Sequence, residues 1–281
     1  MFKIIEKKQL NEVTFSMTIL APLVSKNIKP GQFVMVMTDE NSERIPLTIA
    51  DFDKDNGTVT IVYQAIGAST IKLSKKNEGE EIAHFAGPLG AATELEGIKN
   101  ACVIGGGVGC AIALPQAKWL KNSGANVDVI AGFRNKDIVI LEDEMKANST
   151  QCTVCTDDGS YGVKGFVTNV LKENIENGKK YDCVIAIGPI PMMKAVSDIT
   201  KEYGIRTIVS LNPIMIDGTG MCGGCRVKVG GQVKFACVDG PDFDGHQVDF
   251  QELMIRNNMY KKQETQAKEH ICRMFGGIEN V

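Results

Sequence analysis

The residues with the clearest chemistry lie between positions 217 and 237: Asp217-Gly-Thr-Gly-Met-Cys222-Gly-Gly-Cys225, then eleven residues, then Cys237. Plant-type [2Fe–2S] sites place their thiolates as C-x4-C-x2-C with a distant fourth cysteine. Here the last three positions are cysteine and the first is aspartate. Three soft sulfur donors at these spacings suit an iron–sulfur cluster. Gly218, Gly220, Gly223 and Gly224 let the backbone bend around such a cluster and turn N–H groups toward it. The chemistry predicted is one-electron transfer, and the rest of the chain must supply what the cluster is wired to.

Two further groups of residues suit nucleotides. Gly105-Gly106-Gly107-Val108-Gly109 follows an apolar strand and opens a helix, which brings backbone N–H groups against a pyrophosphate. A glycine-rich turn alone is a weak signal, since any tight strand–helix turn needs glycine. Its place at the first crossover of a parallel sheet favours a dinucleotide. Thr156-Asp157-Asp158-Gly159-Ser160-Tyr161-Gly162 follows another strand of that sheet. Asp157 and Asp158 suit ribose hydroxyls and repel a 2′-phosphate, which favours NAD over NADP; a solvated acidic turn is the competing reading. Arg134 follows the strand before it and suits a phosphate or adenine. Gly188-Pro189 closes a later strand and suits the nicotinamide side, or is a turn and helix start.

Nearer the N-terminus, Arg44-Ile45-Pro46-Leu47-Thr48 offers a guanidinium for a flavin pyrophosphate and a hydroxyl for its ring. Gly67, Ser69 and Thr70 start a short helix and offer N–H groups to the same pyrophosphate. Gly87-Pro88-Leu89-Gly90 is a tight turn near a domain junction. By default Arg44 is a surface charge and Ser69 an N-cap. His84, His246 and His270 have no ligand spacing.

The elements that must position these groups fall into three parts. Residues 1–95 have short β-branched runs at 14–20, 33–37, 58–63 and 81–83, separated by Pro-Gly and Asn-Gly turns, which predicts a small β-barrel with one helix at 69–74. Residues 96–211 alternate strands at 101–104, 126–131, 153–155, 183–187 and 207–211 with helices at 111–122, 140–146, 165–174 and 191–203. That pattern predicts an α/β, doubly wound parallel sheet. Residues 212–281 hold the cluster loop, a hairpin of strands at 226–229 and 232–235, and a helix-like tail at 251–275 with Leu253, Met254, Ile255 and Ile271 as its contacts.

Bulk properties narrow the function further. At 281 residues the chain is long enough for two or three cores. A net charge of −3 without a basic block argues against nucleic acid. The start is too charged for a signal peptide, and no apolar run reaches the length of a membrane span, so a cytoplasmic protein is expected. Nine cysteines, an odd number, argue against a disulfide framework. Cys152 and Cys155 resemble half a zinc site, but on a strand they face opposite sides of the sheet.

Taken in order, these motifs resemble the ferredoxin–NADP reductase superfamily: a flavin-binding β-barrel followed by a nicotinamide-nucleotide domain. The residues Thr156–Gly162, Lys164-Gly165, Cys222–Cys225 and Cys237-Val-Asp-Gly-Pro241 narrow the resemblance to the electron-transfer subunits of dihydroorotate dehydrogenase and their relatives. Two departures stand out: Asp217 where that branch has cysteine, and Ile187-Gly188-Pro189 where it usually has Cys-Gly-Pro. With the helical tail, they are similar to the small subunits of NADH-dependent reduced ferredoxin:NADP oxidoreductases, also called sulfide dehydrogenase β subunits.

That resemblance implies FAD, NAD(H) and one [2Fe–2S] cluster, with Asp217, Cys222, Cys225 and Cys237 as ligands. It implies an electron-bifurcating flavoprotein and a heterodimer with a larger subunit that carries flavin and [4Fe–4S] clusters, so that ferredoxin and NADP(H) are met only indirectly. No catalytic acid or base is assigned, because the cofactors carry the chemistry. Two other readings compete. One is an electron-transfer subunit of dihydroorotate dehydrogenase with the same cofactors. The other is a non-catalytic redox-sensing module, against which the flavin and nucleotide motifs weigh.

Overall fold

The structure is a computed structural model that describes residues 1–274. The first part is a curled antiparallel sheet built from β1 (Phe2–Gln9), β2 (Thr14–Leu20), β3 (Phe33–Met37), β4 (Ile45–Asp53), β5 (Thr58–Gln64), β6 (Glu81–Ile82) and β7 (His84–Leu89). Its strand order is β6-β1-β2-β5-β4-β3-β7. Alternation sets the two faces. On β5, Val59, Ile61 and Tyr63 point into the barrel core, whereas Val62 joins the core of the next part. Helix α1 (Pro22–Ser25) is a single turn, and α2 (Ala68–Ser74) crosses the barrel.

Two features differ from the sequence reading. β1 is a strand although its sequence, Phe-Lys-Ile-Ile-Glu-Lys-Lys-Gln, looks too charged. Only Ile4 is fully buried there, and pairing with β2 and β6 holds the rest. Gly87-Pro88-Leu89 belongs to strand β7, paired with β3, and the turn comes only at Gly90, whose φ is +78°.

The second part is a seven-stranded sheet: β8 (Asn100–Gly106), β9 (Asn126–Phe133), β10 (Gln151–Thr156), β11 (Val163–Lys164), β12 (Cys183–Ile187), β13 (Arg206–Ser210) and, from the last part of the chain, β16 (Asp242–Asp244). The order is β11-β10-β9-β8-β12-β13-β16, parallel except for β16 at the edge. Helices α3 (Gly109–Asn122) and α4 (Glu142–Ala147) cover one face; α5 (Val167–Glu176) and α6 (Ile190–Glu202) cover the other. Cys152 and Cys155 pack on opposite faces, as the period of a strand requires. Ala50 and Val62 of the barrel enter the α3 face, and Lys118 reaches across to Asp51 at 2.9 Å.

The last part contains the hairpin β14 (Arg226–Val229) and β15 (Gln232–Phe235), the turn α7 (Ala236–Asp239), β16, and helices α8 (Phe250–Asn257) and α9 (Lys261–Met274). It has little core of its own. Val227, Phe250 and Leu253 pack into the α5–α6 face. Cys225, Ala236 and Cys237 pack against Phe33 and Met35 of β3. The expected tail helix breaks into two near Asn258, and Phe275, its predicted end, lies outside the described residues. Leu253 is buried, but Ile255 faces solvent. Helix α9 returns across the chain to lie against α2 of the barrel.

Candidate functional site

The loop from Asp217 to Cys225 is shaped by glycines. Gly218, Gly220 and Gly223 all have positive φ, a region that L side chains avoid. A Cβ on Gly218 would lie 2.5 Å from Met35 of β3, so this glycine is also what lets the loop touch the barrel. The loop then delivers its thiols to one place. Cys225 and Cys237 are buried with their sulfurs 3.1 Å apart. The Cys237 N–H points at Cys225 Sγ (3.5 Å), and the Gly224 N–H at Cys222 Sγ (3.4 Å). Cys222 is exposed, and the Gly224 N–H, followed by that of Asp217, lowers its pKa. Burial, and then the neighbouring Cys225, raises that of Cys237.

Asp217 stands beside Cys222 but is turned toward its own loop. Its Oδ2 accepts from the Thr219 hydroxyl (2.6 Å), the Thr219 N–H (2.9 Å) and the Met221 N–H (3.2 Å). These bonds, the hydroxyl first, hold its pKa below the usual carboxylate value. Its Oδ1 takes no part in them. Among the described residues no three His, Cys, Asp or Glu side chains converge on a single metal ion. A two-iron cluster has a different requirement, since it spreads four ligands over two metals. A close pair of thiols, a third with backbone N–H groups on its sulfur, and an ionised carboxylate with a free oxygen meet it.

The barrel residues lie next to this loop. Arg44 immediately precedes β4, makes no ion pair among the described residues, and its charge acts on Asp217. Pro46, Leu47 and Thr48 are half-buried opposite Met35, Val34 and Phe33 of β3. Ser69 at the start of α2 donates to Glu43 at 3.0 Å, which brings the Arg44 and Gly67–Thr70 segments together. The Thr70 hydroxyl is turned onto Gly67, accepting from its N–H and donating to its carbonyl. Gly87 is packed against β3; a Cβ there would lie 2.7 Å from Val34. An unpaired guanidinium beside a half-open strand and a glycine-capped helix start fit a flavin pyrophosphate and ring.

The nucleotide residues gather where the sheet reverses direction. β8 is flanked by β9 on one side and β12 on the other, so the crevice beyond their carboxyl ends is the switch point of the fold. Gly109 sits so tightly on β12 that a Cβ would lie 2.2 Å from the Ile187 carbonyl. Gly106 faces Met192 and Pro189, and Gly188 lies against Gly106. Gly105 is packed on Cys110. Gly107, at φ +57°, has nothing within 4 Å of the place its side chain would occupy, so its backbone faces open space. That opening is the cradle a pyrophosphate needs. Arg134, Asp157 and Asp158 are exposed at the ends of β9 and β10. Asp158 accepts from the Ser160 N–H and hydroxyl, whereas Asp157 makes no side-chain hydrogen bond among the described residues. The two carboxylates are thus not equivalent: Asp158 builds the loop, and Asp157 does not.

Several residues in or near the site carried no sequence signal. Gly132 accepts the Gly107 N–H through its carbonyl at 2.8 Å. A cavity of about 200 Å³ opens beside Cys222, lined by Arg226, Arg256 and Tyr260. Arg226 and Arg256 reach the carbonyls of Gly223 and Gly224 and make no ion pair among the described residues.

Comparison with known proteins follows the same lines. Residues 212–249 match the iron–sulfur cluster binding domain of dihydroorotate dehydrogenase B. The chain is 45% identical to a homolog of the dihydroorotate dehydrogenase B (NAD(+)) electron transfer subunit from Thermotoga maritima, over 99% of this chain and 98% of that one. It is 33% identical to the electron transfer subunit itself from Geobacillus thermodenitrificans, over 87% and 96%. A solved chain of NADH-dependent reduced ferredoxin–NADP oxidoreductase, studied for flavin-based electron bifurcation, superimposes with a TM-score of 0.91 at 43% identity, over 95% and 96%. Phthalate dioxygenase reductase shares the fold alone, at 14% identity and a TM-score of 0.59 over 81% of this chain and 85% of that one.

Fold and site together define an oxidoreductase subunit of the ferredoxin–NADP reductase type, with an iron–sulfur segment added after the nucleotide domain. The chain belongs to the family of dihydroorotate dehydrogenase B electron-transfer subunits and their homologues. No helix among the described residues is long and apolar enough to cross a membrane.

Proposed function

We propose that this chain is the electron-transfer subunit of a flavin-based electron-bifurcating oxidoreductase. It holds FAD on the barrel, NAD(H) in the crevice of the parallel sheet, and a [2Fe–2S] cluster on the last segment. When bound, these groups supply hydride exchange between nicotinamide and flavin and one-electron exchange with the cluster. The observation that carries the reading is the placement of the cluster loop. Its buried thiols lie against β3 of the barrel, while its exposed thiol, Cys222, faces outward.

The chain's own residues do the positioning. Arg44 neutralises the flavin pyrophosphate, with Gly67, Ser69 and Thr70 at the start of α2. Pro46, Leu47 and Thr48 form the edge against the ring, and Gly87 allows β7 to close on β3. Gly105, Gly106, Gly107 and Gly109 hold the nicotinamide dinucleotide, Gly188 and Pro189 bound it on the other side, and Arg134 and Asp157 take its adenosine end. Asp158 orders that loop. Cys222, Cys225, Cys237 and Asp217 ligate the cluster. Orientation at near-contact distance is the main demand on such a site.

Around Cys222 several large apolar side chains are exposed beside Arg226 and Arg256. Met221 is 88% exposed and Ile216 57%, with Val238, Met259 and Tyr260 also exposed. Exposed apolar patches of this kind mark interaction sites. We assign this face to the larger partner subunit, one that carries flavin and [4Fe–4S] clusters, with the cluster between that subunit and the barrel. The dihydroorotate-linked reading has the same cofactors and a different partner; Asp217 in place of cysteine and the similarity to the bifurcating enzyme favour the first.

The test is anaerobic purification of the native chain with mass spectrometry of what accompanies it. A large flavoprotein with several cysteine-rich cluster motifs is expected; a dihydroorotate-oxidising flavoprotein would overturn the bifurcating assignment. A second prediction concerns Asp217. A carboxylate is a harder, less covalent donor than thiolate. Asp217→Ala is expected to lower cluster occupancy, and Asp217→Cys to restore it with a more negative reduction potential. Unchanged iron, sulfide and visible spectrum in Asp217→Ala would show that Asp217 is not a ligand.

A further inference from the structure

A buried carboxyl joins the three parts of the chain and belongs to none of the sites above. It is Asp242, at the start of β16. Its Oδ2 lies 2.5 Å from the Thr93 hydroxyl and 3.1 Å from the Gln116 amide nitrogen, which donates to it. Thr93 follows the barrel, and its hydroxyl is also 3.2 Å from the Pro30 carbonyl, on the loop before β3. Gln116 is a fully buried residue of α3. Ser210, at the end of β13, is paired in register with Asp242 of β16, whose Oδ1 has no hydrogen-bond partner among the described residues. The backbone just before Asp242 binds the same junction. Gly240 accepts from Ala91 at 2.6 Å, and Pro241 from Leu211 at 2.9 Å.

A neutral carboxyl fits the hydrogen bonds here best: Oδ1 is buried with no partner among the described residues, and the Pro30 carbonyl, which accepts the Thr93 N–H at 3.0 Å, has room for the Thr93 hydroxyl as well. The Thr93 hydroxyl has one hydrogen and two acceptors within reach, Asp242 Oδ2 and the Pro30 carbonyl. Beside an ionised carboxylate it satisfies only one of them. Beside a neutral carboxyl, Oδ2–H donates to Thr93, and Thr93 donates on to Pro30, so both bonds form.

The surroundings offer no charge to offset an ionised Asp242. Its hydrogen-bond partners, Thr93 and Gln116, are neutral, and no charged group among the described residues acts on it. The charged residues of the elements around it are engaged elsewhere or lie in solvent. Arg206 of β13 pairs with Glu94 of the segment after the barrel (3.3 Å), and Lys118 of α3 with Asp51. Asp244 of β16 lies 3.9 Å from His246, and Lys29 on the Pro30 loop is exposed.

We propose that Asp242 is a positioning residue for electron transfer: as a neutral carboxyl it relays a hydrogen bond through Thr93 to the Pro30 carbonyl, locking the cluster segment to the barrel and the nucleotide domain at once. Burial, opposed by the neighbouring polar side chains of Ser210, Thr93 and Gln116, lifts the pKa of this carboxyl from 3.8 to about 6. The folded chain therefore binds this proton more tightly than the unfolded chain. The stabilisation it gives is complete below pH 3.8 and is lost as the pH rises through about 6.

The role rests on the reading of the chain as a carrier of flavin and cluster, and two measurements separate lock from role. The first is infrared spectroscopy of the purified chain at about pH 5. A protonated-carboxyl band is expected that is absent from Asp242→Asn; its absence from the wild type would overturn the proposal. The second is single-turnover reduction of the cluster by NADH in the holoprotein, from about pH 5 to about pH 8. In the wild type the rate should fall about threefold or more through a one-proton step near pH 6. Asp242→Asn, whose amide donates like the neutral acid, should hold the low-pH rate throughout. Thr93→Val removes the relay itself and should give the slow, high-pH rate at every pH with no step, a check that remains if the asparagine variant does not fold. A step that persists in Asp242→Asn, or none in the wild type, would refute the positioning role. An infrared band without cluster reduction at any pH would refute the role and the functional reading together, and leave the lock.

Discussion

Cys237→Ser is expected to remove the cluster while leaving the nicotinamide–flavin reaction in place. Cys237 is buried 3.1 Å from Cys225, against Phe33 and Met35. A serine there loses the soft donor and leaves a hydroxyl in an apolar setting, so the chain gains no substitute ligand. Cluster content should fall to about a tenth or less of wild type, and electron delivery beyond the flavin should fall with it, since ligand and folding free energies are linked in such sites. Flavin reduction by NADH should stay within about twofold of wild type, because the crevice that orients the nucleotide is built by other strands. Cys222→Ser should be milder, since Cys222 is exposed and water can reach its place. Iron and sulfide analysis with stopped-flow absorbance reads all three. Loss of the NADH reaction together with the cluster would show that the two sites are not separate.

The second large effect is expected at Gly109. A Cβ there would lie 2.2 Å from the Ile187 carbonyl and 3.0 Å from Gly188 Cα, both backbone, so nothing can swing aside. Gly109→Val must push β12 away from the start of α3 and open the crevice at the point where the nucleotide docks. Overpacking of this kind costs about 1–3 kcal/mol, and a misplacement of about 1 Å at a reacting centre costs about a hundredfold in rate. The kcat/KM for NADH should therefore fall about a hundredfold, with a lower Tm but retained cluster spectrum. Gly107→Ala makes the contrasting case. It meets open space and carries only the strain of its φ of +57°, so it should be close to wild type in stability, within about 1–2 kcal/mol.

Local patterns made the frame of the molecule legible. The alternation of β8, β9, β12 and β13 with helices is written in apolar runs bounded by glycine and proline, and the cluster loop in cysteine spacing. The acidic loop after β10 was recognisable, but its division of labour was not. Only the Ser160 bonds to Asp158 separate it from Asp157. β1 was hidden because a strand with one buried residue carries no apolar period. The addition of β16 to the nucleotide sheet was hidden for another reason: three residues, Asp-Phe-Asp, have no strand signature, and long-range pairing with β13 alone defines them. The same applies to the joint of Thr93, Gln116 and Asp242. Its members are separated by 23 and 126 residues, and each looks like an ordinary surface polar residue until the fold buries it. Arg226 and Arg256 likewise gained meaning only when α8 set Arg256 beside the cluster loop.

Anaerobic stopped-flow mixing of the holoprotein with NADH, followed by freeze-quench electron paramagnetic resonance, tests the central claim most directly. Bleaching of the flavin is expected first and the signal of a reduced [2Fe–2S] cluster after it, with Cys237→Ser showing the bleaching alone. A chain with full flavin and cluster content that NADH neither bleaches nor reduces would contradict it.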